Sequence, residues 1–545
     1  MSEFEAASRA VEETQKNVLL KIIRDNQTCA FGNEHDFETI HSVSDFQAHV
    51  PRQSYDDISK YINQLTLGAK NILTCEDPVL FATTSGTTGT PKYIPMNKTS
   101  RNDKAAVMRL WLYKASKDHP RMFEGKFFTL VSPEIESYTK GGIPCGAESG
   151  HAYRNIPNAM RKLYVAPYEV FLIKDYDSKY YTLLRLSVEH DVTFLGSCNP
   201  STILLLARKM DIFKKDIIRD IQDGTLKKDL IIDDAIRKII ARGLTPNPKR
   251  ASELQNFSEQ NNSLLPKDVW PNMALIGCWT GGSVKIFLKG LRAYFPESTP
   301  IRDWGYLASE LRGSLPLEDN SSSGVLTIQT NFYEFIRLDD IEKDDPTVYR
   351  AHELEKDEQY FVFMTTSAGL YRYEMNDIIR VDGFFYDAPL ISFIQKGKGV
   401  SSLTGEKLYE NQVIESVRET MQDMDIDFTF VSAVADPSDP PRYSFLIESL
   451  PDSTSREAKM NIIKSIDERL SIQNIEYESK RKSLRLGAPV LKILAQGEME
   501  KYRKNKVASG TPDGQFKMMQ LTSDFDFQKQ FKTIEEISCD SVEGK

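Results

Sequence analysis

Thr83-Thr84-Ser85-Gly86-Thr87-Thr88-Gly89-Thr90-Pro91-Lys92 follows directly on the apolar run Val79-Leu80-Phe81-Ala82. The order is a strand, then a loop crowded with hydroxyls and glycine, then a lysine. Such a loop concentrates what a phosphate needs: backbone N–H groups that can approach closely, and hydroxyls that rotate to suit. The end of a strand is where open α/β sheets place their ligands. The spacing is not that of a Walker A loop, because Gly86 and Gly89 stand too close together and Pro91 precedes the lysine. A flexible surface turn is the competing reading of the same composition.

Working outward, residues 126–131 and 192–195 are further β-type runs. The second leads through Gly196-Ser197-Cys198-Asn199-Pro200 into helical periodicity over 202–210. Strands alternating with helices predict an α/β class with substantial parallel sheet. Residues 211–265 read as helical and charged, which suits an insertion or cap on that sheet. A strand at 273–277 precedes Thr280-Gly281-Gly282. Residues 322–395 turn strand-rich, with runs at 324–328, 360–364 and 377–381, and predict a small β-rich unit.

Gln395-Lys396-Gly397-Lys398-Gly399 sets two glycines among charges and reads as a hinge. Beyond it come strands at 428–434 and 443–447 around Pro437, Pro440 and Pro441, then a helix with Ile462, Ile466 and Leu470 on one face, then a strand at 489–494. That is an α+β tail of ordinary domain size. The expected division is therefore 1–395 and 396–545. At the N-terminus, Val11, Val18 and Ile22, with Leu19 and Ile23 beside them, form one helix face. Its polar side mixes both charge signs, which favours a packing helix over a membrane-surface one.

The chain has 545 residues, 78 acids against 69 bases and a net charge of −9, which argues against a large nucleic-acid footprint. Its six cysteines are far apart and form no C-x-x-C, and its seven histidines show no metal-ligand spacing. Free thiols in a reducing compartment are the expectation. No window approaches the ~18 apolar residues of a membrane span, and the first residues lack a signal peptide's apolar core, so a cytoplasmic location is expected.

Thr84-Ser85-Gly86-Thr87-Thr88-Gly89 with Pro91-Lys92 resembles the phosphate loop of the adenylate-forming superfamily of acyl-CoA synthetases, peptide-synthetase adenylation domains and luciferases. Its surroundings resemble, more narrowly, the auxin-responsive Gretchen Hagen family of acyl-acid amido synthetases. The matching stretches are Val50-Pro51 with Tyr55, Phe81-Ala82-Thr83-Thr84-Ser85-Gly86-Thr87, Lys92-Tyr93-Ile94-Pro95, Asn199-Pro200-Ser201, Gly369-Leu370-Tyr371-Arg372-Tyr373 and Gly405-Glu406-Lys407-Leu408. They run in order over nearly the whole chain.

The resemblance implies an α/β fold. A large adenylate-forming N-terminal domain, with parallel-rich sheets, helices and a small β-rich unit, precedes a smaller mobile α+β C-terminal domain. It implies ATP and Mg²⁺ as cofactors and, as partners, a carboxylic acid and an amine (an amino acid). Two alternatives stay open: a thiol acceptor, coenzyme A or a carrier protein, giving a thioester; and a non-catalytic nucleotide-binding or scaffold protein on the same fold. The acid, the amine and the oligomeric state are not legible.

Residue by residue, the resemblance implies that Thr84, Ser85, Gly86, Thr87, Thr88, Gly89 and Lys92 grip the ATP phosphates, with Lys92 also catalytic. Tyr306, Ser309 and Glu310, in Trp304-Gly305-Tyr306-Leu307-Ala308-Ser309-Glu310, match the second nucleotide motif, in which the aromatic flanks adenine and the glutamate holds Mg²⁺. An oxygen ligand suits that metal, although a Ser-Glu pair alone also suits a helix start. Asp377 matches the aspartate that accepts the ribose hydroxyls; an exposed turn aspartate is the alternative. Glu374-Met375-Asn376 depart from the family pattern, and Asn376 tolerates the left-handed backbone that the turn requires. Gly281-Gly282 resembles an adenine-side turn. Lys396 and Lys398 match the ribose contact and the pivot, and Lys517 in Gln515-Phe516-Lys517 matches the late catalytic lysine, although Met518-Met519 replace the family's Pro-Arg. Residues 132–155 fall where the family lines its acyl pocket.

Overall fold

Four parallel strands, Lys126–Thr129, Val192–Gly196, Leu275–Gly277 and Ile301–Arg302, lie adjacent in that order. In the computed structural model every residue is described except 85–91, 342, 398, 427–429, 449, 451–453, 509–518 and 539–545. Successive side chains leave a strand on opposite faces. Phe127, Phe194 and Leu275, in register, enter one hydrophobic core, whereas the next residues, Phe128, Leu195 and Ile276, enter a second. Burial on both faces is the usual condition of a parallel sheet. It explains why these strands read as unbroken apolar runs.

The second core is built by helices on both sides of the strand Val192–Gly196 in sequence, with Tyr180, Leu183 and Leu184 of Tyr176–Ser187 before it and the helix Pro200–Asp223 after it. Asn199 caps the helix Pro200–Asp223 by accepting Ser201 N–H at 2.9 Å, Pro200 stands where no intrahelical donor is needed, and Gly224 at φ +66° ends it. The helix runs past the 202–210 expected from periodicity because Ile217, Ile218 and Ile221 continue its buried face. Asp234–Ala241 and Pro248–Asn261 complete the helical segment. The N-terminal segment forms two helices, Ser2–Ser8 and Val11–Asp25. Val11, Leu19, Ile22 and Ile23 are buried in the first core, with Val18 packed against it.

Two further sheets complete this part of the chain. Lys92–Met96, Leu80–Thr84, Pro144–Cys145 and Ser137–Tyr138 are neighbours in one. The other has seven strands, in the order Tyr349–Arg350, Phe332–Arg337, Gln359–Thr365, Tyr373–Phe385, Ala388–Lys396, Gly324–Leu326 and Ser314–Leu315. This is the β-rich region expected from 322 onward, reached a few residues earlier.

By contacts the chain divides into two units, residues 1–83 with 93–395 and residues 84–92 with 396–545. The smaller has a five-stranded sheet, in the order Leu521–Thr522, Phe430–Asp436, Arg442–Glu448, Val490–Leu494 and Thr533–Ser538. Ile462, Ile466 and Leu470 of the helix Arg456–Gln473 are buried against Ala433, Phe445 and Leu491. Among the described residues no helix is long and apolar enough to cross a membrane.

Candidate active site

The parallel strands deliver their following loops to one edge, the place where open α/β sheets bind ligands. Thr280-Gly281-Gly282 follows Gly277, with Gly282 at φ +59°, and residues 303–310 follow Arg302. Asp303 ties the two loops together. Its Oδ2 accepts Thr280 Oγ1–H at 2.7 Å and the Thr280 N–H, and its Oδ1 accepts Gly305 N–H at 2.6 Å. Burial nonetheless pushes the Asp303 carboxyl up to about 6, against the pull of those donors.

Trp304 anchors the second loop. Its indole N–H donates to Ser197 O at 3.1 Å, and the ring lies 4.4 Å from that of Trp111. A side chain on Gly277 would start 2.7 Å from the indole, so the strand end has to be glycine for the ring to settle there. Gly305 turns the chain at φ +85°, and its Cα passes so near Ser314 O that a Cβ would lie 2.3 Å from it.

The turn aims Tyr306 inward. Tyr306 Oη donates to Asp377 Oδ2 at 2.7 Å, and its ring lies parallel to Phe393. Burial first, and the Asp377 charge second, push the phenol well above its usual range, so it stays a donor. Asp377 reaches this position through a bulge in the strand Tyr373–Phe385. Ile378 pairs with Phe361 and Glu374 with Phe363, so four residue steps on one strand face two on the other. Asn376 absorbs the bend at φ +50°, the left-handed conformation expected of it. Asp377 is 2% exposed, so the exposed-turn reading does not hold.

Beyond Tyr306, no helix begins at Ser309, which removes the helix-start reading of Ser309-Glu310. Lys104, from the helix Lys98–Asp118, donates to Ser309 O at 2.7 Å and pairs with Glu148 Oε2 at 3.2 Å. Glu310 is buried on the wall of a small cleft that it shares with Ser100, Lys104, Thr330 and Thr366. The cleft sets this carboxylate beside hydroxyls and beside the cations Lys104 and Arg312, so Glu310 offers an oxygen ligand of the kind that suits Mg²⁺, an ion that takes most of its ligands from water and phosphates. Among the described residues no cluster of three or more acidic, histidine or cysteine side chains could hold a metal.

The strands that flank the glycine-threonine loop are held from outside it. Thr84 ends Leu80–Thr84, Lys92 begins Lys92–Met96, and Tyr55 Oη accepts Tyr93 N–H at 2.8 Å. Ser85, Gly86, Thr87, Thr88 and Gly89 lie outside the described residues, as do Lys398 and Lys517. Lys396 closes the strand Ala388–Lys396.

Two of the quoted motifs turn out to hold the scaffold. Arg372, at φ +46°, makes a buried fork to Glu334 with both contacts at 2.9 Å, and donates to the Gln47 and Val50 carbonyls. In the smaller unit, buried Glu406 accepts Leu403 N–H, Thr404 N–H, Thr404 Oγ1–H and Tyr443 Oη–H. Sequence reading missed Asp303, Lys104 and Glu148. Asp303 directly precedes the quoted motif and was within reach, but nothing in one chain separates the buried Lys104 from the solvated Lys98.

The solved structures to which the chain is similar show the fold first. An acyl acid amido synthetase, GH3.15, has a TM-score of 0.66 at 22% identity, with 98% of this chain and 96% of that one covered. A 2-hydroxyisobutyryl-CoA ligase with 2-HIB-AMP and CoA has a TM-score of 0.52 at 11% identity, with 96% and 91% covered. The fold is that of the adenylate-forming enzymes. The chain belongs to the GH3 family: the family's N-terminal domain matches residues 1–301, its central domain 324–396 and its C-terminal domain 411–525. Jasmonoyl–L-amino acid synthetase JAR4 of Nicotiana attenuata is 24% identical over 95% of this chain and 92% of its own length. Indole-3-acetic acid-amido synthetase GH3.3 of Arabidopsis thaliana is 23% identical over 95% and 91%.

Proposed function

We propose that this protein is an ATP-dependent, AMP-forming ligase that joins a carboxylic acid to the amine of an amino acid. The observation that carries this reading is the Tyr306–Asp377 hydrogen bond at the carboxyl edge of the parallel sheet, with Glu310 four residues further along the same loop. In the first half-reaction a carboxylate oxygen attacks the α-phosphorus of ATP and pyrophosphate leaves with the electrons of the broken P–O bond. In the second, the amine attacks the acyl carbon, AMP leaves, and the nitrogen loses its proton. No enzyme nucleophile is needed.

Thr84, Ser85, Gly86, Thr87, Thr88, Gly89 and Lys92 hold the phosphates, Tyr306 flanks the adenine and Asp377 faces the ribose. Mg²⁺, held by Glu310, would supply the positive charge that offsets charge spreading over the phosphates. Residues 1–395 form the domain for ATP and acid. Residues 396–545 form the second, mobile domain, with Lys396 and Lys398 at its start and Lys517 stabilising charge during adenylation. A cytoplasmic location fits the sequence. The CoA-ligase likeness extends to the fold alone, whereas the relatives that match along 95% of the chain are amido synthetases. Pyrophosphate release across a panel of carboxylic acids, followed by mass spectrometry of the product with amino acids and with coenzyme A, tests the reading. An acyl amino acid supports it and a thioester rejects it.

A further inference from the structure

Two part-buried arginines stand by the cleft of Glu310: Arg312 lines it, and Arg101, next to Ser100 of its wall, has a buried Nη2 that among the described residues donates no hydrogen bond. Arg101 lies in the first turns of the helix Lys98–Asp118, and its Nη2 is buried. Arg312 follows Glu310-Leu311 and lines the same small cleft. Burial pulls both guanidiniums below their ordinary value. A buried guanidinium N–H with no acceptor, such as that of Arg101 Nη2, is costly unless something supplies one.

Both arginines feel the charge of Glu148. That carboxylate is already engaged, since Glu148 Oε2 pairs with Lys104, which also holds Ser309 O. Glu134, the other carboxylate acting on Arg101, accepts from His151 Nδ1 and from Arg154 Nη1. Cys198 lies close enough to act on Arg312, at the carboxyl end of the strand Val192–Gly196. Arg101 and Lys104 stand three residues apart on the helix Lys98–Asp118, Lys104 pairs with Glu148, and Lys104 and Arg312 line one cleft with Glu310, so three cations gather beside that wall. A guanidinium fork matches a carboxylate in shape and charge.

Two carboxylates are on offer in an amide-forming reaction. The acid's own carboxylate is converted to an uncharged acyl group in the first half-reaction. Fixed cations that gripped it would stabilise the reactant against the transition state. The α-carboxylate of an acceptor amino acid keeps its charge throughout the second half-reaction. It can be held without opposing the chemistry, and holding it distinguishes an amino acid from a simple amine.

We propose that Arg101 and Arg312 form the subsite for the α-carboxylate of the acceptor amino acid, with the Lys104–Glu148 pair fixing the wall on which they stand. The proposal rests on the amide-forming reading above. The test compares the full-length protein with Arg101→Gln, Arg312→Gln and Arg312→Lys, using the best amino acid substrate and its carboxamide as acceptors, alongside acid-dependent ATP–pyrophosphate exchange without an acceptor. KM for the amino acid should rise at least about tenfold in the Gln variants and less in Arg312→Lys, while KM for the acid in the exchange assay moves less than about threefold. The carboxamide should be a poor acceptor for the wild type and be little altered by the substitutions. An unchanged KM for the amino acid overturns the proposal. So does a parallel rise in KM for the acid, which would assign the guanidiniums to the acid instead. If the Gln variants do not fold, Arg312→Lys carries the same comparison of the two KM values. A wild type that forms no amide with any amino acid sinks the functional reading itself, an outcome distinct from both.

Discussion

Tyr306 Oη donates to Asp377 Oδ2 at 2.7 Å across 71 residues of sequence, joining the loop after the last parallel strand to the bulge of the antiparallel sheet. Both side chains are buried. Tyr306→Phe removes the donor and leaves the acceptor in place, which costs about 1–3 kcal/mol when the group is buried. Urea unfolding should show a loss of that size, and KM for ATP should rise at least about threefold as Asp377 loses its orientation. Full stability together with unaltered ATP affinity would show that the bond does not set the site.

Glu310 and Lys92 act on the phosphates in the proposed mechanism. Glu310→Ala and Lys92→Ala should each slow acid-dependent ATP–pyrophosphate exchange more than about tenfold, the scale on which single electrostatic groups act in such sites. Unchanged exchange in both variants rejects the site assignment.

The Arg372–Glu334 fork gives a test of the scaffold. Both side chains are under 10% exposed, at 7% and 2%. Removing one partner strands the other, so Arg372→Met should destabilise by about 3–5 kcal/mol. The double variant Arg372→Met/Glu334→Leu should recover much of that loss, because no lone charge remains. A double variant as unstable as the single would mean that the carbonyls of Gln47 and Val50, not Glu334, are the contacts that matter.

Asp303 predicts an unusual pH response. Its carboxyl is raised to about 6 in the folded protein, above the ~3.9 of an unfolded aspartate. The folded form therefore holds more protons than the unfolded form between those values, and stability from this group falls as pH rises through that window. The difference in melting temperature between wild type and Asp303→Asn should shrink or reverse in sign from pH 4 to 6 and be flat above about 7. A difference that grows in favour of the wild type over that range would contradict the raised value.

Much of this molecule was legible in its sequence, and the reasons are local. Phe127-Phe128 and Phe194-Leu195 announce buried strands because both faces of a parallel sheet are dry. Asn199-Pro200 announces a helix start because the cap and the fixed φ act within one turn. Asn376 was legible as a left-handed position, since few residues other than glycine tolerate it. The rest depends on partners far away in sequence. Glu334 meets Arg372 across 38 residues, Lys104 meets Ser309 across 205, and neither pairing leaves a local pattern. The seven-stranded sheet shows the same limit, because Ser314–Leu315 joins it by pairing with Gly324–Leu326 rather than by any propensity of its own two residues.

The most direct measurement is a two-part assay on the purified full-length chain: pyrophosphate release with ATP and each of a panel of carboxylic acids, then mass spectrometry after adding amino acids. Acid-dependent pyrophosphate, followed by a product whose mass is that of the acid plus the amino acid less one water, with AMP released, is the expected result. ATP binding without pyrophosphate from any acid, or a thioester in place of the amide, would contradict it.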